Sequence, residues 1–187
     1  MRQILQRLLQ PLQKFFWQLQ ALIKRWLRVK RKSPARRVPS TLSWVIPGKL
    51  AVGGLPQVGD GAELTRANIK VVLSLCAKLE GELPEDVTQN FRCLRYILPD
   101  RYYATEFKVD QLAQVVEIVH KSIQHQLPIY VHCLAGMERS PTVCIAYLCR
   151  YHNLELWEAL NWLKQVHPRS MPNESQIRAL REYSQHR

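Results

Sequence analysis

Apolar side chains follow two different rhythms along this chain. Through residues 3–29 they recur at helical spacing: Ile4, Leu5, Leu8, Leu9, Leu12, Phe15, Phe16, Leu19, Leu22, Ile23, Trp26 and Leu27, with Arg, Lys and Gln between them. That pattern predicts an amphipathic helix with a wide apolar face over residues 1–30. Pro11 lies on its polar side and predicts a kink or a break there. Residues 31–40 (RKSPARRVPS) have no apolar period and hold two prolines, the composition of a linker. From Thr41 onward, short apolar runs alternate with amphipathic stretches. Strands are predicted at Leu50–Val52 (closed by Gly53-Gly54), Val71–Cys76, Arg92–Leu98 and Ile129–His132. Helices are predicted at Gly61–Asn68, Glu106–His125, Ser140–Tyr151, Leu154–Val166 and Asn173–Tyr183. Strands separated by helices imply an α/β domain over residues 41–187, a mostly parallel central sheet flanked by helices.

Charge divides the chain at the same place. The net charge is +12, yet no acidic residue precedes Asp60, and eleven of the 27 Lys and Arg residues lie within the first 37 positions. The high isoelectric point therefore belongs to the N-terminal segment and not to the domain. Lys14, Lys24 and Arg25 interrupt the apolar stretch, so it is too broken to span a bilayer, and no small-residue cleavage site marks it as a secretory signal. A basic amphipathic helix of this kind suits an anionic membrane surface. An organelle transit peptide fits the Arg-rich, acid-free pattern but not the scarcity of serine. Nucleic-acid binding has only the basic patch to support it, and no nucleic-acid partner is expected. Docking into a partner protein's groove is a further option. The five cysteines, Cys76, Cys93, Cys133, Cys144 and Cys149, show no paired or metal-ligand spacing, which points to a reducing, cytoplasmic setting.

One segment carries chemistry. In Val131-His132-Cys133-Leu134-Ala135-Gly136-Met137-Glu138-Arg139-Ser140-Pro141 an apolar strand ends at a cysteine, a short loop follows, and a helix begins. Ser140 is expected as its N-cap and Pro141 as its first residue. A loop entering a helix N-terminus turns backbone N–H groups toward a common centre that attracts anions. A thiol in such a field is favoured as the nucleophilic thiolate. Arg139, six positions on, can clamp two phosphoryl oxygens with its planar fork.

His132, Cys133, Gly136, Arg139 and Ser140 together resemble the His-Cys-x5-Arg-Ser/Thr signature of the cysteine-dependent phosphatases. The continuation SPTVCIAYLC resembles their dual-specificity branch, and so do the segment Trp44–Leu50 and the tail Trp157–Tyr183 with its HPRSMPN turn. The resemblance implies phosphate binding by residues 134–139 (Leu134, Ala135, Gly136, Met137, Glu138, Arg139), a phosphocysteine on Cys133, and no metal or other cofactor. It further implies that Ser140 assists thiolate departure and that His132 orients the loop. It also implies an aspartic acid that protonates the leaving group. Asp100 is selected by topology: it follows the strand ending at Leu98 as Cys133 follows the strand ending at His132, and a β-α-β unit brings both strand ends to one edge. Asp110 and Glu106 compete, but both fall within the crossover helix.

The implied substrate is phosphotyrosine or phosphoserine/threonine in protein. A phosphate monoester of lipid, an RNA 5′ end or carbohydrate is the alternative, as is an idle phosphatase fold serving as a membrane-bound binding module. Glu138 adds negative charge where phosphoinositide-preferring relatives carry basic residues. It either faces solvent or disfavours highly anionic head groups, and the second reading is preferred. Trp157, Leu160 and Leu163 are expected in the core.

Overall fold

The computed structural model describes residues 42–100 and 107–185. The predicted helix over 1–30 and the linker over 31–40 lie outside the described residues, as do Glu106 and the tyrosines at 102 and 103. The strands β1 (Leu42–Ile46), β2 (Leu50–Gly53), β3 (Val71–Ser74), β4 (Arg92–Arg95) and β5 (Ile129–His132) form one sheet in the order β1-β2-β5-β3-β4. β2, β5, β3 and β4 run parallel, and β1 is an antiparallel edge joined to β2 by a turn. The sheet is mostly parallel, as the alternation of elements predicts.

Strand pairing explains which side chains fill which layer. Trp44, Ala51, Tyr130, Val72 and Cys93 are successive partners across the sheet and therefore share one face. They pack with Leu64 of helix α1 (Gly61–Arg66) and Val87 of helix α2 (Glu85–Thr88). The alternate residues, Leu50, Val52, Val71, Leu73, Ile129 and Val131, are also buried and face the opposite layer. That layer holds α3 (Val109–Gln124), α4 (Arg139–Tyr151), α5 (Leu156–Val166) and α6 (Glu174–Gln185). Helix α4 is its centre, touching α3, α5, α6, β2 and β5. All of it but Arg150 and Tyr151 is buried.

Several expected boundaries move. β3 ends at Ser74 and β4 at Arg95, but single bonds extend their pairing, Tyr96 N–H to Ser74 O and Leu98 N–H to Leu75 O. A 3-10 turn at Lys78–Glu80 and the short α2 were not predicted. Two expectations are overturned. Trp157 is 64% exposed, and the tryptophan in the core is Trp162, whose Nε1–H donates to Val45 O on β1. Ser140 is not the N-cap: α4 starts at Arg139 after Glu138, and the Ser140 hydroxyl points back toward β2. Among the described residues no helix is long and apolar enough to cross a membrane.

Candidate active site

The carboxyl ends of β2, β3 and β5 meet at the segment from Cys133 to Arg139. Its carbonyl groups are drawn outward by donors from the body of the domain. Leu134 O accepts from Leu55 N–H (3.1 Å), Gly136 O from His167 Nε2 (2.7 Å), Met137 O from Met171 N–H (2.7 Å) and Glu138 O from Thr142 N–H and Oγ1. Peptide planes fixed in this way turn their N–H groups to the other side. The N–H groups of Leu134, Ala135, Gly136, Met137 and Arg139 donate to no acceptor among the described residues. A concave row of open donors at the start of a buried 13-residue helix is an anion site.

Glycine makes this loop possible. Gly136 has φ +70°, and a Cβ there would lie 2.6 Å from Gly53 C and Gly54 N. The loop thus rests directly on the backbone of the Gly53-Gly54 turn that closes β2. Tyr130 holds that turn from below through its hydroxyl, which donates to Gly54 O at 2.6 Å.

The candidate nucleophile sits at the base of the loop, 3% exposed. Ser140 Oγ lies 3.4 Å from Cys133 Sγ and 3.0 Å from Gly53 O, so one hydroxyl proton serves two acceptors. The other thiols near the site stay protonated: burial pushes Cys76 up to about 12, and burial raises Cys144 as well. His132 is buried and uncharged, its pKa pushed down to about 4 by loss of solvent. Its Nδ1 lies 3.2 Å from Cys133 O, while Nε2 has no partner among the described residues. A ring bonded only to the loop backbone fits the orienting role implied for it.

Arg139 is 2% exposed and is held as a charged clamp. Burial opposes its charge, but the hydrogen bonds it donates to the Glu80 carboxylate, and the charge of that carboxylate, outweigh burial, and its pKa rises. Nη1 donates to Glu80 Oε2 at 3.0 Å and points at Leu75 O and Leu98 O; Nη2 donates to Glu80 Oε1 at 2.6 Å. Nη2 also pairs with Asp100 Oδ2 at 2.7 Å. Burial raises the Glu80 carboxyl, but Arg139 and the Ala77 N–H bring it below its ordinary value.

Cys133, Arg139, Asp100, Ser140 and His132 are therefore brought together as the sequence predicts. Asp110 is not among them: it lines a groove with Glu117, Arg150, Tyr151 and Glu182, at the far end of α4 from Arg139. Glu138 does not simply face solvent; Asn173 Nδ2 donates to its Oε2 at 3.2 Å. Sequence reasoning missed Glu80, His167 and Asn173. For Glu80 a signal existed, because the edge argument that selects Asp100 applies equally to residues just past β3. For His167 and Asn173 the only signal was their place in the HPRSMPN turn.

Known proteins bear on this arrangement. The family model "Dual specificity phosphatase, catalytic domain" matches residues 53–186. Dual specificity protein phosphatase 14 of Mus musculus is 44% identical over 141 residues, 71% of this chain and 70% of the relative. Phosphatidylglycerophosphate phosphatase PTPMT1 of Arabidopsis thaliana is 25% identical over 134 residues, 72% of this chain but only 40% of the relative. Among solved structures, Tk-PTP in its active form superposes with a TM-score of 0.69 at 23% identity, covering 79% of this chain and 99% of that one. PTPMT1 in complex with PI(5)P gives 0.68 at 21% identity, covering 78% and 96%. At these identities the structures speak for the fold alone. Matched over most of its length by the family model, the chain belongs to the dual specificity phosphatase family and carries that family's catalytic domain.

Proposed function

We propose that this protein hydrolyses phosphomonoesters through a phosphocysteine formed on Cys133, acting on phosphotyrosine or phosphoserine/threonine in proteins. The observation that carries the reading is the loop of inward N–H groups with Cys133 at its base and Arg139 fixed beside it. In the first step the Cys133 thiolate attacks phosphorus, the P–S bond forms, and the bond to the leaving oxygen breaks. The loop amides and Arg139 take the charge that builds on the three remaining oxygens. Asp100 delivers its proton to the departing oxygen. In the second step water attacks phosphorus and gives a proton back to Asp100. The P–S bond breaks, and Ser140 donates to the released thiolate instead of to Gly53 O.

Arg139 and Asp100 are coupled in this scheme. Four Nη hydrogens of Arg139 are engaged, while Nε–H has no partner among the described residues. A phosphoryl group clamped by two parallel bonds takes Nε–H and the Nη2–H that Asp100 occupies. Binding of the phosphoryl group then releases Asp100 from its ion pair.

Residues 41–187 form the phosphatase domain, and residues 31–40 link it to a basic helix over 1–30 that rests on an anionic membrane surface. This makes the protein peripheral at a membrane on the cytoplasmic side. The similarity to phosphatidylglycerophosphate phosphatases supports a second reading, a lipid phosphomonoester as substrate. The test uses the purified full chain in chelator. It is expected to hydrolyse an aryl phosphate, and Cys133→Ser is expected to abolish turnover; activity that survives this change removes the assigned nucleophile. Asp100→Ala is expected to slow poor leaving groups far more than good ones. A panel of phosphopeptides and phosphatidylglycerophosphate vesicles then separates the two substrate readings.

A further inference from the structure

The connection between α5 and α6 grips the outer side of the phosphate loop. His167 meets Gly136 O, Met171 N–H meets Met137 O, and Asn173 Nδ2 meets the Glu138 carboxylate. Of these, the histidine is the one whose chemistry is not interchangeable. His167 is buried, with Nε2 2.7 Å from Gly136 O and Nδ1 3.0 Å from Ser43 Oγ on β1. A carbonyl oxygen only accepts, so Nε2 carries the proton. In the neutral ring Nδ1 must then accept, and the Ser43 hydroxyl supplies the hydrogen. Burial favours this uncharged form.

We infer that His167 is a positioning residue for the phosphate loop: through Nε2–H it pulls the Gly136 carbonyl outward, and Ser43 sets the tautomer that allows it. The Gly136 carbonyl belongs to the same peptide plane as the Met137 N–H. Holding one outward aims the other into the anion site. The location adds force, because Gly136 is the loop residue with positive φ and the one pressed against Gly53 and Gly54. A loop able to relax at this residue would turn an acceptor toward phosphate in place of a donor. The inference rests on the reading of this loop as a phosphate site, but it concerns a residue that the reading does not otherwise need.

The two ring nitrogens can be separated by substitution. The amide nitrogen of Gln reaches about as far as His Nε2, and that of Asn about as far as Nδ1. His167→Gln therefore keeps a donor for Gly136 O, whereas His167→Asn keeps only a partner for Ser43. In the full chain, affinity for tungstate measured by calorimetry is expected to fall about tenfold in His167→Asn, the scale of one buried carbonyl losing its donor. It is expected to stay within about threefold in His167→Gln. Ser43→Ala, a milder change, is expected to give a smaller loss of tungstate affinity with the melting temperature nearly unchanged. Equal affinities in the Asn and Gln variants overturn the inference. So does a loss in His167→Asn that appears only in melting temperature. If the Asn variant does not fold, an unchanged tungstate affinity in Ser43→Ala overturns it alone. Because tungstate binding needs no turnover, a protein that binds it and hydrolyses nothing counts against the proposed function and leaves this test intact.

Discussion

Helix α4 is buried from Arg139 to Cys149, and its two ends do different work. Its first turn packs polar groups into the interior. Arg139 is bound to Glu80 and Asp100, Ser140 to Gly53 and Cys133, and Thr142 to Glu138 O and Gln176. Its last turns carry rings. Tyr151 stacks on His120 at 3.6 Å between centroids and 4° between planes, Tyr147 lies against Tyr151 and His152, and the Tyr151 hydroxyl donates to Glu117. Burial therefore says little about purpose here. At the start of the helix the free N–H groups and the dipole make a place for an anion, and the Arg139, Ser140 and Thr142 side chains are each aimed by a named partner. At its end the packing of rings gives adhesion, which tolerates exchange of one apolar surface for another.

If this contrast is right, changes at the two ends should separate activity from stability. The largest effect is expected for Arg139→Lys. An ammonium cannot span two phosphoryl oxygens and leaves Glu80 with one donor in place of a fork. A loss of about 10²–10³ in kcat/KM is expected, and a loss under tenfold would contradict the clamp.

Stability against pH probes both ends together. His132 beside the loop and His152 just after α4 are each pushed down to about 4, chiefly by burial. Their folded values lie below the unfolded one near 6.5. The unfolded chain therefore binds the additional protons as pH drops. Stability from these groups is complete above about 6.5, falls as pH declines toward about 4, and levels off below. The loss for fully buried His132 is of order 3 kcal/mol, with a smaller one for the partly exposed His152. Denaturant titrations at a series of pH values measure it; a midpoint that does not change between pH 7 and 4 rejects the neutral burial of these rings.

Glu80→Gln comes next. It keeps the shape but removes the charge that fixes Arg139, so a decrease of about tenfold in kcat/KM is expected with modest loss of stability. Full activity in this variant would mean that Leu75 O, Leu98 O and Asp100 suffice to place the guanidinium. The smallest change in rate is expected for Tyr151→Leu: kcat/KM should stay within about twofold while stability drops by about 1 kcal/mol. A matching loss of activity would show that the two ends of α4 are not independent.

Much of the site was legible because it is contiguous. From His132 to Ser140 a strand end, a glycine, a thiol, an arginine and a helix start follow one another, and local backbone chemistry is enough to assemble them. Asp100 was legible through topology, since parallel strands joined by a helix deliver their ends to one edge. The errors fall where the partner is remote. Ser140 reads as an N-cap from its neighbours, yet its hydroxyl is claimed by Gly53 O, 87 positions away. Trp157 and Trp162 both suit an amphipathic helix, and only the bond to Val45 O, 117 positions away, decides which turns inward.

By itself, then, the order of residues determined the alternation of strands and helices and the placing of Cys133, Arg139 and Asp100, the proposed nucleophile, clamp and acid, on one edge, and it separated a basic N-terminal segment from a nearly neutral domain. Only the tertiary structure decided how those groups are aimed. Glu80 orients the arginine across 59 positions, His167 turns the Gly136 carbonyl across 31, and the Gly53-Gly54 turn supports the loop from another strand. The physical reason is range: helix periodicity, strand alternation and turn preference act over a few residues, whereas a hydrogen bond is blind to sequence separation and exists only once packing has brought its partners together.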